Sequence, residues 1–214
     1  MLSPPAGPPL KRFSASIFVH SFRVKARAFC AMDVAAPRPV IFLDVDGVLA
    51  NARSALVTYE EGDETLFFDP SGAAPPLERR CVEELRRVIE ATGAAIVISS
   101  TWRLELDMRR FLMRALAVGG IDVEAVVAGD TPEVAVVDGG RGAEVCAWLA
   151  EHPITAEGCV ILDDGHAKSF AAHGLGGVFV QTELCNECDP LQEGLTRSKA
   201  DEAIRILTAG AGQA

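Results

Sequence analysis

Three short stretches of this 214-residue chain are almost wholly apolar and stop abruptly at acids or hydroxyls. Val40-Ile41-Phe42-Leu43 runs into Asp44-Val45-Asp46-Gly47, Ala94 to Ile98 runs into Ser99-Ser100-Thr101, and Val160-Ile161-Leu162 runs into Asp163-Asp164. A strand without polar/apolar alternation has no solvated face, and such strands belong to parallel sheets covered by helices on both sides. The expected class is therefore α/β, with a parallel five-stranded sheet and helices on both faces. Ligands in such sheets bind beyond the carboxyl ends of the strands, which is where these acids and hydroxyls fall.

The remaining pattern supplies the other elements. Ala55 to Phe68 reads as a β-hairpin flap, with Leu56-Val57-Thr58-Tyr59 and Thr65-Leu66-Phe67-Phe68 on either side of a polar turn. Pro75 and Pro76 open a helix to about Ala91, in which Leu77, Val82, Leu85, Val88 and Ile89 recur at helical spacing and Gly93 marks the end. Further helices are expected over Leu104 to Ala117, Gly142 to Glu151 and Lys199 to Leu207. Val123 to Val127 and Gly177 to Gln181 complete the five strands.

Residues 1–31 carry five basic residues and no acid, leaving fifteen bases against thirty acids in the rest. That segment is Pro-rich, then basic and Ser-containing. Residues 1–36 are expected to be a disordered extension or a transit peptide, or a stretch ahead of a true start at Met32. Residues 37–210 are then the folded domain, in an intracellular protein of the cytoplasm or of an organelle. No apolar run reaches the roughly 18 residues that span a bilayer, so no membrane segment is expected. The scattered cysteines read as reduced thiols. Cys185 and Cys188 form a lone CxxC without the second ligand pair that structural zinc needs, and their role stays open between metal, redox and none.

An acidic body repels polyanions except where bases cluster, yet it suits a site that gathers carboxylates around a cation. Asp44 and Asp46 flank one turn, and Asp163 and Asp164 end another buried strand. Four carboxylates in one crevice repel each other unless a cation lies among them. Oxygen-only ligands favour a hard ion, Mg²⁺, which in turn favours phosphate chemistry.

Asp44-Val45-Asp46-Gly47-Val48-Leu49 resembles the first motif of the haloacid dehalogenase superfamily in its phosphatase form. Ile96-Val97-Ile98-Ser99 is similar to the second motif, and Val160-Ile161-Leu162-Asp163-Asp164 to the fourth. The third is a basic residue, for which Arg141 in Gly139-Gly140-Arg141-Gly142 is the best candidate and Lys168 the alternative. Ser99-Ser100-Thr101-Trp102-Arg103, Trp148-Leu149 and Gly194-Leu195-Thr196 further resemble the small haloacid dehalogenase-like domains found beside RNA-repair enzymes.

The resemblance implies a Rossmann-like three-layer sandwich and a phosphoric monoester hydrolase. Asp44 would be the nucleophile that forms an aspartyl-phosphate, and Asp46 the acid/base. Ser99, Ser100 and Arg141 would hold the phosphoryl oxygens. Mg²⁺ would be held by Asp44, the main-chain carbonyl of Asp46, Asp163 and Asp164. Trp102 and Arg103 are candidate substrate contacts, with core packing the competing role for Trp102 and a solvated helix start for Arg103. Trp148 is expected in the core. The short intervals after the first and second motifs leave no room for a large cap, so the phosphorylated substrate is expected to be bulky: a phosphoprotein, a nucleotide or a nucleic-acid end. Two alternatives stand beside hydrolysis: phosphotransfer to an acceptor other than water, and a catalytically weak binding domain.

Overall fold

The computed structural model describes residues 38–56, 64–135 and 140–211, all of which lie in one unit, Ala35–Ala214. The expected N-terminal extension and residues 57–63 of the expected flap fall outside the described residues. Five parallel strands form the sheet: β1 (Val40–Leu43), β4 (Ala95–Ile98), β5 (Val127–Asp130), β6 (Cys159–Asp163) and β7 (Phe179–Gln181), in the order β5-β4-β1-β6-β7. The chain passes from β1 outward through β4 to β5, then returns to the other side of β1 for β6 and β7. The reversal leaves a crevice beyond the carboxyl ends of β1 and β6.

Each central strand is buried on both faces, which accounts for the unbroken apolar runs. One face (Ile41, Leu43, Ile96, Ile98, Val160, Leu162) packs on helices α2 (Arg79–Thr92), α3 (Leu106–Val118) and α7 (Arg197–Ala211). The other (Val40, Phe42, Val97, Cys159, Ile161) packs on α5 (Gly140–Ala150) and α6 (Ala167–Ala172). Trp148 of α5 is in the core as expected, its ring edge-on to Phe42 at 5.3 Å between centroids. At the end of α2, Gly93 adopts φ 68° and its N–H closes on the Ile89 carbonyl, a left-handed stop that a side chain would strain.

Four sequence expectations are corrected. Ala55 and Leu56 belong to a short helix, α1 (Ala52–Leu56), because Asn51 and Ser54 exchange side chain-to-backbone hydrogen bonds of 3.0 Å that start a helical turn. The expected second half of the hairpin, β2 (Leu66–Phe67), instead pairs antiparallel with β3 (Leu77–Glu78). Leu77 and Glu78 are therefore extended, and α2 begins at Arg79 rather than Pro75. The Glu78 N–H donates to the Leu49 carbonyl at 2.8 Å and the Arg79 N–H to Thr65 at 2.9 Å, and these long-range bonds override local helix propensity.

Val123 to Val126 is a helical turn, α4, rather than a strand. The Asp122 carboxylate accepts from the Ala125 N–H at 3.2 Å, and the strand follows as β5. Among the described residues, the interval after β1 holds α1 and the β2–β3 pair, and that after β4 holds a 3₁₀ turn (Thr101–Leu104), α3 and α4. Neither forms a large cap.

Candidate active site

The ends of the three central strands meet through the sheet's own ladder. The Asp44 N–H donates to the Leu162 carbonyl at 3.0 Å and the Ser99 N–H to Leu43 at 2.8 Å, so Asp44 lies between the ends of β4 and β6. Past Asp44 the chain folds on itself, with the Val45 carbonyl accepting from Val48, Leu49 and Ala50 at 2.8 to 3.1 Å. Gly47 in this turn has φ +72°, and a Cβ there would meet the Asp164 side chain at 2.4 Å. Only glycine lets the first acidic turn approach the second this closely.

Ligand oxygens of Asp44, Asp163 and Asp164 lie within 4.8 Å of one another. Asp44 is 6% exposed and Asp163 1%. Burial raises the Asp44 pKa, opposed by the nearby Arg141 charge and by hydrogen bonds from Ser100 and the Val45 N–H, with Asp46 adding to the rise. Asp163 is pushed up to about 7, first by burial and then by Asp44, against the Gly165 N–H and Arg141. Asp164, half-buried, is raised chiefly by burial and also by Asp46, while the charges of His166 and Arg141 pull the other way. One Asp163 oxygen accepts from Gly165 at 2.8 Å; the other is buried without a hydrogen bond. Crowded, desolvated oxygen donors with an unpaired buried carboxylate oxygen fit a hard divalent cation.

Arg141, in the first turn of α5, is 9% exposed. Its Nε lies 4.0 Å from Asp163 and 3.9 Å from Glu144. Lys168, the alternative for the basic position, is exposed on α6 and makes no ion pair among the described residues. The Ser100 hydroxyl bonds Asp44, whereas the Ser99 hydroxyl is buried and has no partner.

Asp46 differs from the other acids. It is absent from the converging carboxylates, and its Oδ2 accepts from the Trp102 indole Nε1–H at 3.0 Å. Trp102 is 1% exposed and packs beside Phe111. It is thus a core residue with one polar handle on the site, and it has no free face for stacking a substrate. Arg103, the other candidate substrate contact, lines a cavity next to Arg141. Its guanidinium pairs with Glu144 at 3.0 Å and donates to the Thr131 and Ser100 carbonyls at 2.9 and 2.8 Å. It ties the loops after β4 and β5 to α5.

Two residues of the site escaped sequence reasoning. Glu144 joins Arg103 to Arg141; its only trace in the sequence is the i, i+3 spacing from Arg141. His166 has a left-handed backbone, φ 57°, the one such non-glycine among the described residues, and no sequence signal marks it.

No curated relative matches the chain. Residues 40–189 match the family described as the HAD domain in Swiss Army Knife RNA repair proteins, HAD standing for haloacid dehalogenase. That match covers both acidic turns, the hydroxyl-bearing strand end and Arg141, and the chain accordingly belongs to this family of the haloacid dehalogenase superfamily.

Proposed function

We propose that the chain is a Mg²⁺-dependent phosphatase that hydrolyses a phosphomonoester through a phosphorylated Asp44. The observation that carries this reading is the convergence of Asp44, Asp163 and Asp164 within 4.8 Å at the strand ends, with Arg141 beside them. Domains of this superfamily generally use Mg²⁺, and Asp44, Asp163 and Asp164 would hold it with the Asp46 carbonyl. Bound there, it shields the carboxylates from the anionic substrate and polarises the phosphoryl oxygens.

An Asp44 oxygen attacks phosphorus as the bond to the ester oxygen breaks, and Asp46 delivers its proton to that leaving oxygen. Water then gives a proton back to Asp46 and attacks the aspartyl-phosphate, which releases inorganic phosphate and frees Asp44. Arg141 and the Ser99 and Ser100 hydroxyls hold the phosphoryl oxygens and balance the charge that develops on them. Trp102 holds the Asp46 carboxylate through its indole N–H.

The lack of a large cap leaves the site open to a bulky substrate. The family's association with RNA repair points to a nucleic-acid end ahead of a phosphoprotein. In this reading residues 37–210 form the catalytic domain. The enzyme works inside a cell, within an organelle if residues 1–36 act as a transit peptide. No helix among the described residues is long and apolar enough to cross a membrane.

The test is release of inorganic phosphate from a phosphoester panel, including end-phosphorylated oligonucleotides, with and without Mg²⁺. Mg²⁺-dependent release that vanishes in Asp44→Asn supports the reading. Retained activity in that variant refutes the nucleophile, and phosphorylation of Asp44 without release moves the function to phosphotransfer.

A further inference from the structure

A cavity of about 630 Å³ opens beside the carboxylates, in the range of about 300–1,000 Å³ usual for ligand pockets. Arg141 lines it. This residue is nine-tenths buried, and its Nη1 has no hydrogen-bond partner. Its Nε lies 4.0 Å from Asp163, so one guanidinium borders both the acids and the cavity.

α6 and the turn before it also line the cavity. His166, two residues after Asp164, takes the left-handed conformation and its carbonyl accepts from the Phe170 N–H at 3.0 Å. This sharp turn starts α6 at the cavity and places His166, Lys168 and His173 along it. The whole chain has four lysines and four histidines and a net charge of -10, yet one lysine and two histidines ring this single cavity. Of the two acids on its wall, Glu144 is held by Arg103 and Arg141, and Glu133 is exposed. Leu104 and Val134 are apolar residues of its lining. The left-handed turn at His166 and the grouping of Lys168 with two imidazole side chains give this cavity a lining of nitrogen donors in an otherwise acidic protein.

We propose that this cavity is a second anion subsite, which holds a further phosphate of the substrate through Lys168 and His166 while the scissile phosphate sits at Asp44. The proposal rests on the phosphoryl site described above and narrows its substrates to molecules that carry a second phosphate on the same skeleton as the scissile one. Bisphosphates and phosphodiester-linked chains with a terminal phosphate share this chemistry.

The test uses binding rather than turnover. Titration calorimetry of the full-length Asp44→Asn variant with Mg²⁺ compares adenosine 3′,5′-bisphosphate, the two corresponding monophosphates, and a dinucleotide with a terminal phosphate. The bisphosphate should bind about tenfold more tightly than either monophosphate, as one added charge-assisted contact allows. That ratio should fall towards one in Lys168→Ala and be kept in Lys168→Arg. A dinucleotide that shows the same Lys168-dependent gain identifies the diester as the second phosphate; a gain confined to the bisphosphate identifies a free phosphate. Equal affinities for mono- and bisphosphates overturn the proposal. So does a preference that survives Lys168→Ala and His166→Ala, or a loss in Lys168→Ala that is equal for all ligands, which would assign Lys168 to the scissile phosphate. Phosphate release by the wild-type chain is read separately, so failure of hydrolysis and failure of the subsite give different results.

Discussion

The indole N–H of Trp102 donates to Oδ2 of Asp46 across 3.0 Å, and Asp46, the proposed acid/base, stands outside the group of three acids that converge beside it. Trp102 is otherwise enclosed by apolar neighbours, so its single polar atom has one function. Trp102→Phe keeps most of the packing and deletes the donor. We expect kcat to fall about tenfold with little change in KM, less than the roughly 10²–10⁴ that a positioned acid/base itself supplies. The cost in stability should be about 1 kcal/mol. Steady-state kinetics and thermal unfolding check both, and an unchanged kcat would remove Trp102 from the positioning role.

Asp163 links stability to pH. Its folded pKa, about 7, lies above the ordinary 3.8, so the folded state holds the proton more tightly than the unfolded chain. The resulting stabilisation is fully present below 3.8 and is lost as pH rises through about 7. Asp44 and Asp164 are raised in the same direction and add to the loss. With chelator present, Tm should therefore fall across this window. Added Mg²⁺ should raise Tm most above it, where the carboxylates are ionised and bind the cation without displacing protons. A Mg²⁺-induced shift independent of pH, measured by thermal unfolding in matched buffers, would contradict the assignment of these acids to the cation.

Glu144 lies between two buried guanidinium groups. Its removal in Glu144→Ala leaves Arg103, whose side chain is 3% exposed, without its ionic partner. Losing one member of a buried pair costs about 3–5 kcal/mol, and denaturant unfolding should read a loss of that order. Glu144→Gln retains hydrogen-bond acceptors and should lose less. A cost below about 1 kcal/mol for Glu144→Ala would show that the pair behaves as a solvated one.

Gly47→Ala tests the approach of the two acidic turns. The left-handed backbone alone costs about 1–2 kcal/mol for a residue with a Cβ, and the added carbon would overlap Asp164 at 2.4 Å. We expect Mg²⁺ affinity to drop together with stability. An intact metal-induced Tm shift in this variant would place Asp164 outside the cation's ligands.

Much of the fold could be read from residues 40 to 49, 94 to 101 and 160 to 164. A strand buried on both faces must be apolar throughout, so polar residues appear only where the strand leaves the core. That rule exposed Asp44, Ser99 and Asp163 together. It failed at β5, Val-Ala-Gly-Asp, because an edge strand is half solvated and needs no apolar run. It failed again at Leu77 and Glu78, where Leu49 and Thr65 supply backbone partners far away in the chain.

The sequence by itself determined the class of sheet, the three central strands and the acids and hydroxyls at their ends, because burial and strand period are local properties of a few consecutive residues. Tertiary structure alone decided which base reaches those acids. Arg141 and Lys168 are both basic candidates in the sequence, and only the packing of α5 and α6 on one face of the sheet carries Arg141 to 4.0 Å from Asp163 while leaving Lys168 on the lining of the neighbouring cavity. The same holds for the bond from Trp102 to Asp46 and for the bridge through Glu144, since each joins residues on different elements whose distance is set by packing rather than by spacing along the chain.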